Sequence, residues 1–526
     1  MSAVPDLLSQ INSVSQAEHH DGSLLRFITC GSVDDGKSTL IGRLLHDTGS
    51  IFEDQMETFQ HESKKFNAAD NALNFALLVD GLSAEREQGI TIDVAYRYFS
   101  SKRRFFIIAD TPGHEQYTRN MATGASQADL AIILIDARKG VLPQTRRHSF
   151  ITSMVGIRSV VVAVNKMDLI HFDQSVFDRI IREYKSLLPQ LDFRETIFIP
   201  LSAQLGINVV NRSNRMPWYN GPTLFEYLET ARPIDSEHTG ELFRMPVQWI
   251  NRPNSDFRGF CGVIASGSLS IGDVIRSLPS GATSRVRKIY NPAGETDRVS
   301  AGEVVVLTLE DEIDISRGNV LVSEDDAITI SRAIRSQILW MSTHPMVAEK
   351  RYLLKLATSL IPVTINQLEE KIDIHSYYTE KAQTLGPNEI GHVLLNLEQP
   401  LVTTSYRENR TLGAFILIDL TSNETVALGI VRDTFPNIGT ESERIRPAIF
   451  ARLKKAWLGK NKKGKCVLFR LAYGAMLTAF ALIFGVSFVG AWCIFIFYFT
   501  CHPLLETLFV ARREHGQRFL EDRSGM

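Results

Sequence analysis

The sequence predicts a mainly parallel α/β domain, then two small antiparallel β-barrels, then a C-terminal apolar, membrane-like segment. Three observations carry that expectation. Strand-length apolar runs alternate with helix-length stretches over 25–232, shorter runs broken by Gly, Pro, Asn and Asp fill 240–430, and Leu471 to Thr500 holds no charged side chain. The 526 residues suffice for about three or four domains of ordinary size, each with its own core.

Residues 1–24 are polar, lack a sustained period and read as a mobile arm. From Leu25 onward the apolar runs are Leu25 to Cys30, Arg104 to Ala109, Leu130 to Ile135, Val160 to Val164 and Ile197 to Leu201. Continuous apolar strands separated by helices imply a parallel sheet covered on both faces. After Arg232 the texture changes. Phe243, Met245, Val247 and Trp249 alternate with Arg244, Pro246 and Gln248, which is the period of a strand. One barrel is expected at 240–330 and a second at 335–430, divided near Glu324 to Asp326.

A basic linker follows at 431–470; from Arg444 to Arg470 it holds ten Lys or Arg and no acid. The apolar run 471–500 exceeds the roughly 18 residues that mark a transmembrane candidate. As one helix it would rise about 45 Å against a hydrocarbon core of about 30 Å, so a tilted span, partial insertion and a hairpin turning between Gly485 and Gly490 all satisfy its length. A tail at 501–526 carries Arg512, Arg513 and Arg518.

A charged fraction of 22% with a net charge of −2 describes a globular protein without polyelectrolyte character, and no nucleic-acid partner is expected. Five cysteines, Cys30, Cys261, Cys466, Cys493 and Cys501, are scattered without metal-ligand pairing or a disulfide framework, which suits a reducing cytoplasm. The N-terminus lacks the basic and apolar regions of a secretory signal, so the first domain is expected in the cytoplasm, with 471–500 as a membrane contact.

Four motifs carry chemistry. Gly31, Ser32, Val33, Asp34, Asp35, Gly36, Lys37, Ser38 and Thr39 form a Gly-x4-Gly-Lys-Ser loop between an apolar strand and a helical stretch. Its glycines let backbone N–H groups face phosphate oxygens, and the following helix points its positive end at the same charge. Lys37 is placed on the outer phosphates and Ser38 on Mg2+. Asp110, Thr111, Pro112 and Gly113 follow the second run, where a carboxylate can hold Mg2+ through water and a glycine N–H can meet a γ-phosphate. Asn165, Lys166 and Asp168 follow a further strand: the Asp168 carboxylate can accept from N1 and the exocyclic amine of guanine, a pairing adenine cannot offer, while Lys166 packs along the base. Ser202 and Ala203 complete that pocket. The order and the strand-end context make the nucleotide GTP. Thr91, within Glu85 to Asp93, is the candidate switch residue on Mg2+ and the γ-phosphate, and His114 the candidate for positioning the attacking water. A second Gly-x4-Gly-Lys pattern at Gly459 to Lys465 ends in Cys466, where Ser or Thr is required, and reads as solvated linker.

These motifs resemble the translation-factor GTPases, in which a GTPase domain precedes two β-barrels. Within that superfamily, Cys30 to Thr39, Asp80 to Asp93, His114 to Gly124, Leu242 to Trp249, Asn251 to Asn254 and Leu309 to Gly318 are similar to the GTPase subunits of two-subunit sulfate adenylyltransferases. Asp35 stands where elongation factor Tu places a histidine. The resemblance covers about residues 25 to 430. It implies a GTP- and Mg2+-dependent subunit paired with a separate ATP-pyrophosphatase-type catalytic subunit that makes adenosine 5'-phosphosulfate and pyrophosphate from ATP and sulfate. Some relatives carry a fused adenylylsulfate kinase, which is not expected here, because the only further phosphate-loop pattern is the defective one at Gly459. A tRNA- or ribosome-binding translation factor shares the same nucleotide motifs, but the charge balance offers it no support.

Overall fold

The computed structural model describes residues 23–51, 75–78, 91–232, 242–254 and 257–436. The N-terminal arm, the segment 79–90 leading into Thr91, the linker beyond 436, the Gly459 pattern and the apolar run 471–500 lie outside the described residues. Among the described residues no helix is long and apolar enough to cross a membrane.

The first domain is built on six strands: β1 (Leu24–Cys30), β2 (Ala95–Ser100), β3 (Phe105–Asp110), β4 (Leu130–Asp136), β5 (Ser159–Asn165) and β6 (Glu195–Pro200). They lie in the order β2-β3-β1-β4-β5-β6, with β2 antiparallel to β3 and the other neighbours parallel. β4 is buried at all seven positions, as a central strand covered on both faces must be. The helices are α1 (Lys37–Asp47), α2 (Thr118–Ala125), α3 (Pro143–Met154), α4 (Gln174–Lys185) and α5 (Leu224–Thr230). Alternate strand residues feed two cores. Ile28, Ile133 and Val162 pack with Met121 of α2, Ile151 of α3 and Phe177 of α4. Phe27, Ile132 and Val161 pack with Leu40 and Leu44 of α1 and Leu228 of α5. β2 was not anticipated. It is an edge strand whose Tyr96 and Tyr98 are exposed, so it lacks the apolar run that marks the others.

Register fixes the site: Thr29 pairs with Asp110, Cys30 with Ile133 and Asp136 with Asn165, so the carboxyl ends of five parallel strands reach one edge of the sheet. Ligands of open α/β sheets bind there.

Two antiparallel barrels follow. In the first, built between Arg244 and Ser323, strand 274–278 pairs with 320–323 on one side and 282–291 on the other, which closes a ring around Phe243, Met245, Val247, Ile275 and Val286. In the second, between Ile330 and Phe435, the pairing of 351–356 with both 359–372 and 414–419 closes a ring around Ile334, Leu354, Val363 and Leu395. Closure removes the edge strands that would otherwise invite foreign pairing. The second barrel packs onto the first domain, with Leu339, Ile372, Tyr377 and Ile390 joining the core around Met154 and Val155. Between the barrels, the Arg244 guanidinium donates to Asp326 at 2.6 and 3.0 Å and to Glu408 at 2.7 Å.

Candidate functional site

Four loops meet at the carboxyl edge of the sheet. The first runs from Gly31 to Ser38 between β1 and α1. Gly36 opens α1 at φ +90°, a conformation that glycine adopts freely, and a Cβ there would stand 2.5 Å from Asn165 Nδ2. Lys37 is buried and folds back over its own loop, donating to the carbonyls of Ser32 at 2.9 Å and Gly31 at 3.2 Å. Burial pulls its ammonium down while Asp110 and Asp35 pull it up. Asp35 is almost fully buried; its Oδ2 accepts from the Ser32 N–H at 2.6 Å, and burial pushes it up to about 6 against the attraction of Lys37. Val33 is half-buried, Asp34 is exposed at φ +66°, and Thr39 lies half-buried in the first turn of α1.

The second loop brings Asp110, at the end of β3, against the first. Its carboxylate accepts from Thr29 Oγ1 at 3.1 Å and Ser38 Oγ at 3.0 Å, while Thr111 Oγ1 donates to the Thr29 carbonyl at 2.6 Å. Ser38 Oγ lies 3.4 Å from Thr91 Oγ1. The three residues expected around Mg2+ therefore stand together as hard oxygen donors, which is the chemistry that ion selects. Pro112 and Gly113 are buried, and a Cβ on Gly113 would stand 2.8 Å from the Ser32 carbonyl carbon and 2.9 Å from the Gly31 carbonyl oxygen, so a side chain there would push against the backbone of the first loop. His114 is different: it is exposed, and its Nδ1 accepts from the Gln116 N–H at 3.2 Å, capping its own turn.

The third and fourth loops are those expected to hold the base. Asn165 is a tie between loops: its Nδ2 donates to the Asp35 carbonyl at 2.8 Å and its Oδ1 accepts from the Ala203 N–H at 2.9 Å. Lys166, at φ +63°, donates to the Asp34 carbonyl and lies 3.2 Å from Asp136. Asp168 presents a buried Oδ1 with no hydrogen-bond partner. A buried carboxylate oxygen without a donor costs free energy unless a ligand supplies one, and two N–H groups of guanine are donors of the kind that position lacks. Ser202 is buried, its Oγ accepting from the Leu205 N–H at 3.3 Å.

The first domain matches the model of the elongation factor Tu GTP binding domain over residues 22–251, and the second barrel matches the GTP-eEF1A C-terminal domain-like model over 333–432. Over 445 residues the chain is 52% identical to "Sulfate adenylyltransferase subunit 1" of Laribacter hongkongensis, covering 84% of this chain and 92% of that protein. The chain belongs to the sulfate adenylyltransferase subunit 1 family. The protein of that name in Saccharophagus degradans is 50% identical over 433 residues, covering 82% of this chain and 92% of its own. A solved structure of sup35 complexed with GDP aligns at 24% identity with a TM-score of 0.37, over 81% of this chain and 98% of that one, a likeness too loose to add to the assignment.

In this subunit-1 chain two site residues escaped the sequence. Asp136, at the end of β4, accepts from the Arg138 guanidinium at 3.0 and 2.7 Å; burial pushes its carboxyl up, but Arg138 and Lys166 outweigh that and hold it at about 2. It anchors Lys166. Its signal was its place at a strand end, Asp-Ala-Arg after an apolar run. His148, buried in α3, accepts the Gly31 N–H on Nδ1 at 3.1 Å. Burial first, then Lys37 and Arg147, push this imidazole down to about 3, so it is neutral and an acceptor. A lone histidine in a helix gives no sequence signal for that contact.

Proposed function

We propose that this chain is the GTP-hydrolysing subunit of sulfate adenylyltransferase, coupling GTP hydrolysis to the synthesis of adenosine 5'-phosphosulfate and pyrophosphate from ATP and sulfate by a separate catalytic subunit. The observation that carries the reading is the pairing, in a chain of this family, of a phosphate loop with the donor-seeking Asp168 carboxylate oxygen. The tRNA- or ribosome-binding alternative gains no support from the subunit-1 relatives.

In this reading the loop from Gly31 to Thr39 cradles the phosphates with its N–H groups, and Lys37, steadied by the Gly31 carbonyl, turns its remaining N–H donors onto the outer phosphate oxygens. Asp168 accepts from the guanine edge, Lys166 lies along the ring, and Ser202 and Ala203 close the pocket. Ser38, Thr91 and Asp110 would hold Mg2+, which would supply positive charge to neutralise the phosphate oxygens. Gly113 meets the γ-phosphate through its N–H. His114 leaves its turn to orient water, whose oxygen bonds to the γ-phosphorus as the bond to the β–γ bridging oxygen breaks, releasing phosphate and GDP. The partner is of the ATP-pyrophosphatase type: there a sulfate oxygen attacks the α-phosphorus of ATP and pyrophosphate leaves. The complex works in the cytoplasm, and the run 471–500 contacts lipid, with the basic residues before it facing anionic headgroups.

The test is pyrophosphate release from ATP and sulfate by the purified chain with its partner, with and without GTP. GTP should stimulate the wild type and leave Lys37→Ala unstimulated. Absence of stimulation despite intact GTP hydrolysis would refute the coupling.

A further inference from the structure

α3 touches the phosphate loop on one side and the second barrel on the other. Toward the loop, His148 Nδ1 accepts the Gly31 N–H, and the Gly31 carbonyl accepts from Lys37 at 3.2 Å. Both polar groups of that residue are thereby committed, so the tilt of Gly31 sets where the Lys37 ammonium rests. Gly31 lies close against β4, where an added Cβ would stand 2.9 Å from the Leu134 carbonyl. Toward the barrel, the Arg146 carbonyl accepts from Tyr377 OH at 2.7 Å, and the Phe150 and Tyr377 rings lie 5.2 Å apart. Just beyond the helix, the Val155 carbonyl accepts from Tyr406 OH at 2.5 Å and the Gly156 carbonyl from Arg410. A helix is stiff along its axis, so a shift imposed at one contact is felt at the other.

We propose that His148 is a positioning residue for the phosphate loop, and that α3 makes the loop's grip on the nucleotide phosphates depend on the docking of the second barrel through Tyr377. The inference rests on the GTP reading above and adds to it the residue and the helix through which the barrel regulates that site. His148 touches no phosphate; it acts through Gly31 on Lys37.

The test is competition by GTP and by guanosine against a fluorescent GTP analogue, using the full chain. Guanosine reads the base pocket alone. His148→Leu leaves a buried N–H without an acceptor and should weaken GTP about tenfold while leaving guanosine unchanged. His148→Asn, whose Oδ1 stands close to the place of Nδ1, should recover most of the loss. Tyr377→Phe should weaken GTP about threefold in the wild-type background and have no effect beside His148→Leu, since both act on the loop through the one helix α3. Equal weakening of GTP and guanosine by His148→Leu, or failure of His148→Asn to recover, would overturn the positioning role. Additive effects in the double variant would overturn the coupling, and where His148→Leu does not fold, GTP binding left unweakened by Tyr377→Phe alone would overturn it. A wild type that binds GTP no better than ATP would overturn the nucleotide reading and this proposal with it.

Discussion

Asp35 carries a buried carboxyl in the proposed phosphate-binding loop, and its titration has a defined sign. Its folded-state value of about 6 lies above the ordinary 3.8 of the unfolded chain. The folded protein therefore binds the extra proton, and this group opposes folding above pH 6, relaxes as pH falls through 6 and is without effect below about 3.8. Asp35→Asn should raise the nucleotide-free melting temperature at pH 7–8 and lose that advantage near pH 4, measured by thermal unfolding across pH. Ser38 is simpler. Its hydroxyl meets Asp110 at 3.0 Å and Thr91 at 3.4 Å, so Ser38→Ala should raise the Mg2+ needed for GTP hydrolysis by at least about tenfold, read from magnesium titrations. The places of these loops were legible because a Gly-Lys-Ser sequence, an Asp-x-x-Gly and an Asn-Lys-x-Asp sit behind apolar strands, whose carboxyl ends the fold brings to one edge. The orientation of His114 was not: nothing in its neighbours signals that its ring caps its own turn.

Among the elements, the central strands β1, β3, β4 and β5 could be read directly, because burial on both faces favours a continuous apolar run, and the edge strand β6 keeps an apolar run at Ile197 to Ile199. The edge strand β2 could not, since exposure of Tyr96 and Tyr98 replaces that run with an ambiguous mixture. The joints between loops were also hidden. Asn165 belongs to a recognisable motif, yet its use as a tie from β5 to both the phosphate loop and the loop after β6 depends on three segments far apart in sequence. Asn165→Ala strands the Asp35 carbonyl and the Ala203 N–H, and should cost about 1–3 kcal/mol of stability. Urea unfolding checks the stability, and weakened binding of both GTP and guanosine should accompany it.

Across the whole molecule, the two barrels were foreseeable from their turn-rich, alternating texture, whereas the contacts that lock them together were not. Arg244 reads as one outward position of a strand, but the fold buries it against Asp326, which is 2% exposed. Removing one partner of such a pair leaves a buried charge, so Arg244→Met should destabilise by about 3–5 kcal/mol and Arg244→Met with Asp326→Leu should recover most of it, as denaturation midpoints would show. The central claim, that guanine recognition at Asp168 drives sulfate activation by the partner, is tested most directly by one substitution. Pyrophosphate release from ATP and sulfate is measured with Asp168→Asn and the catalytic partner, supplying GTP or xanthosine triphosphate. Release driven by xanthosine triphosphate and no longer by GTP is the expected result; release still driven by GTP would contradict the account.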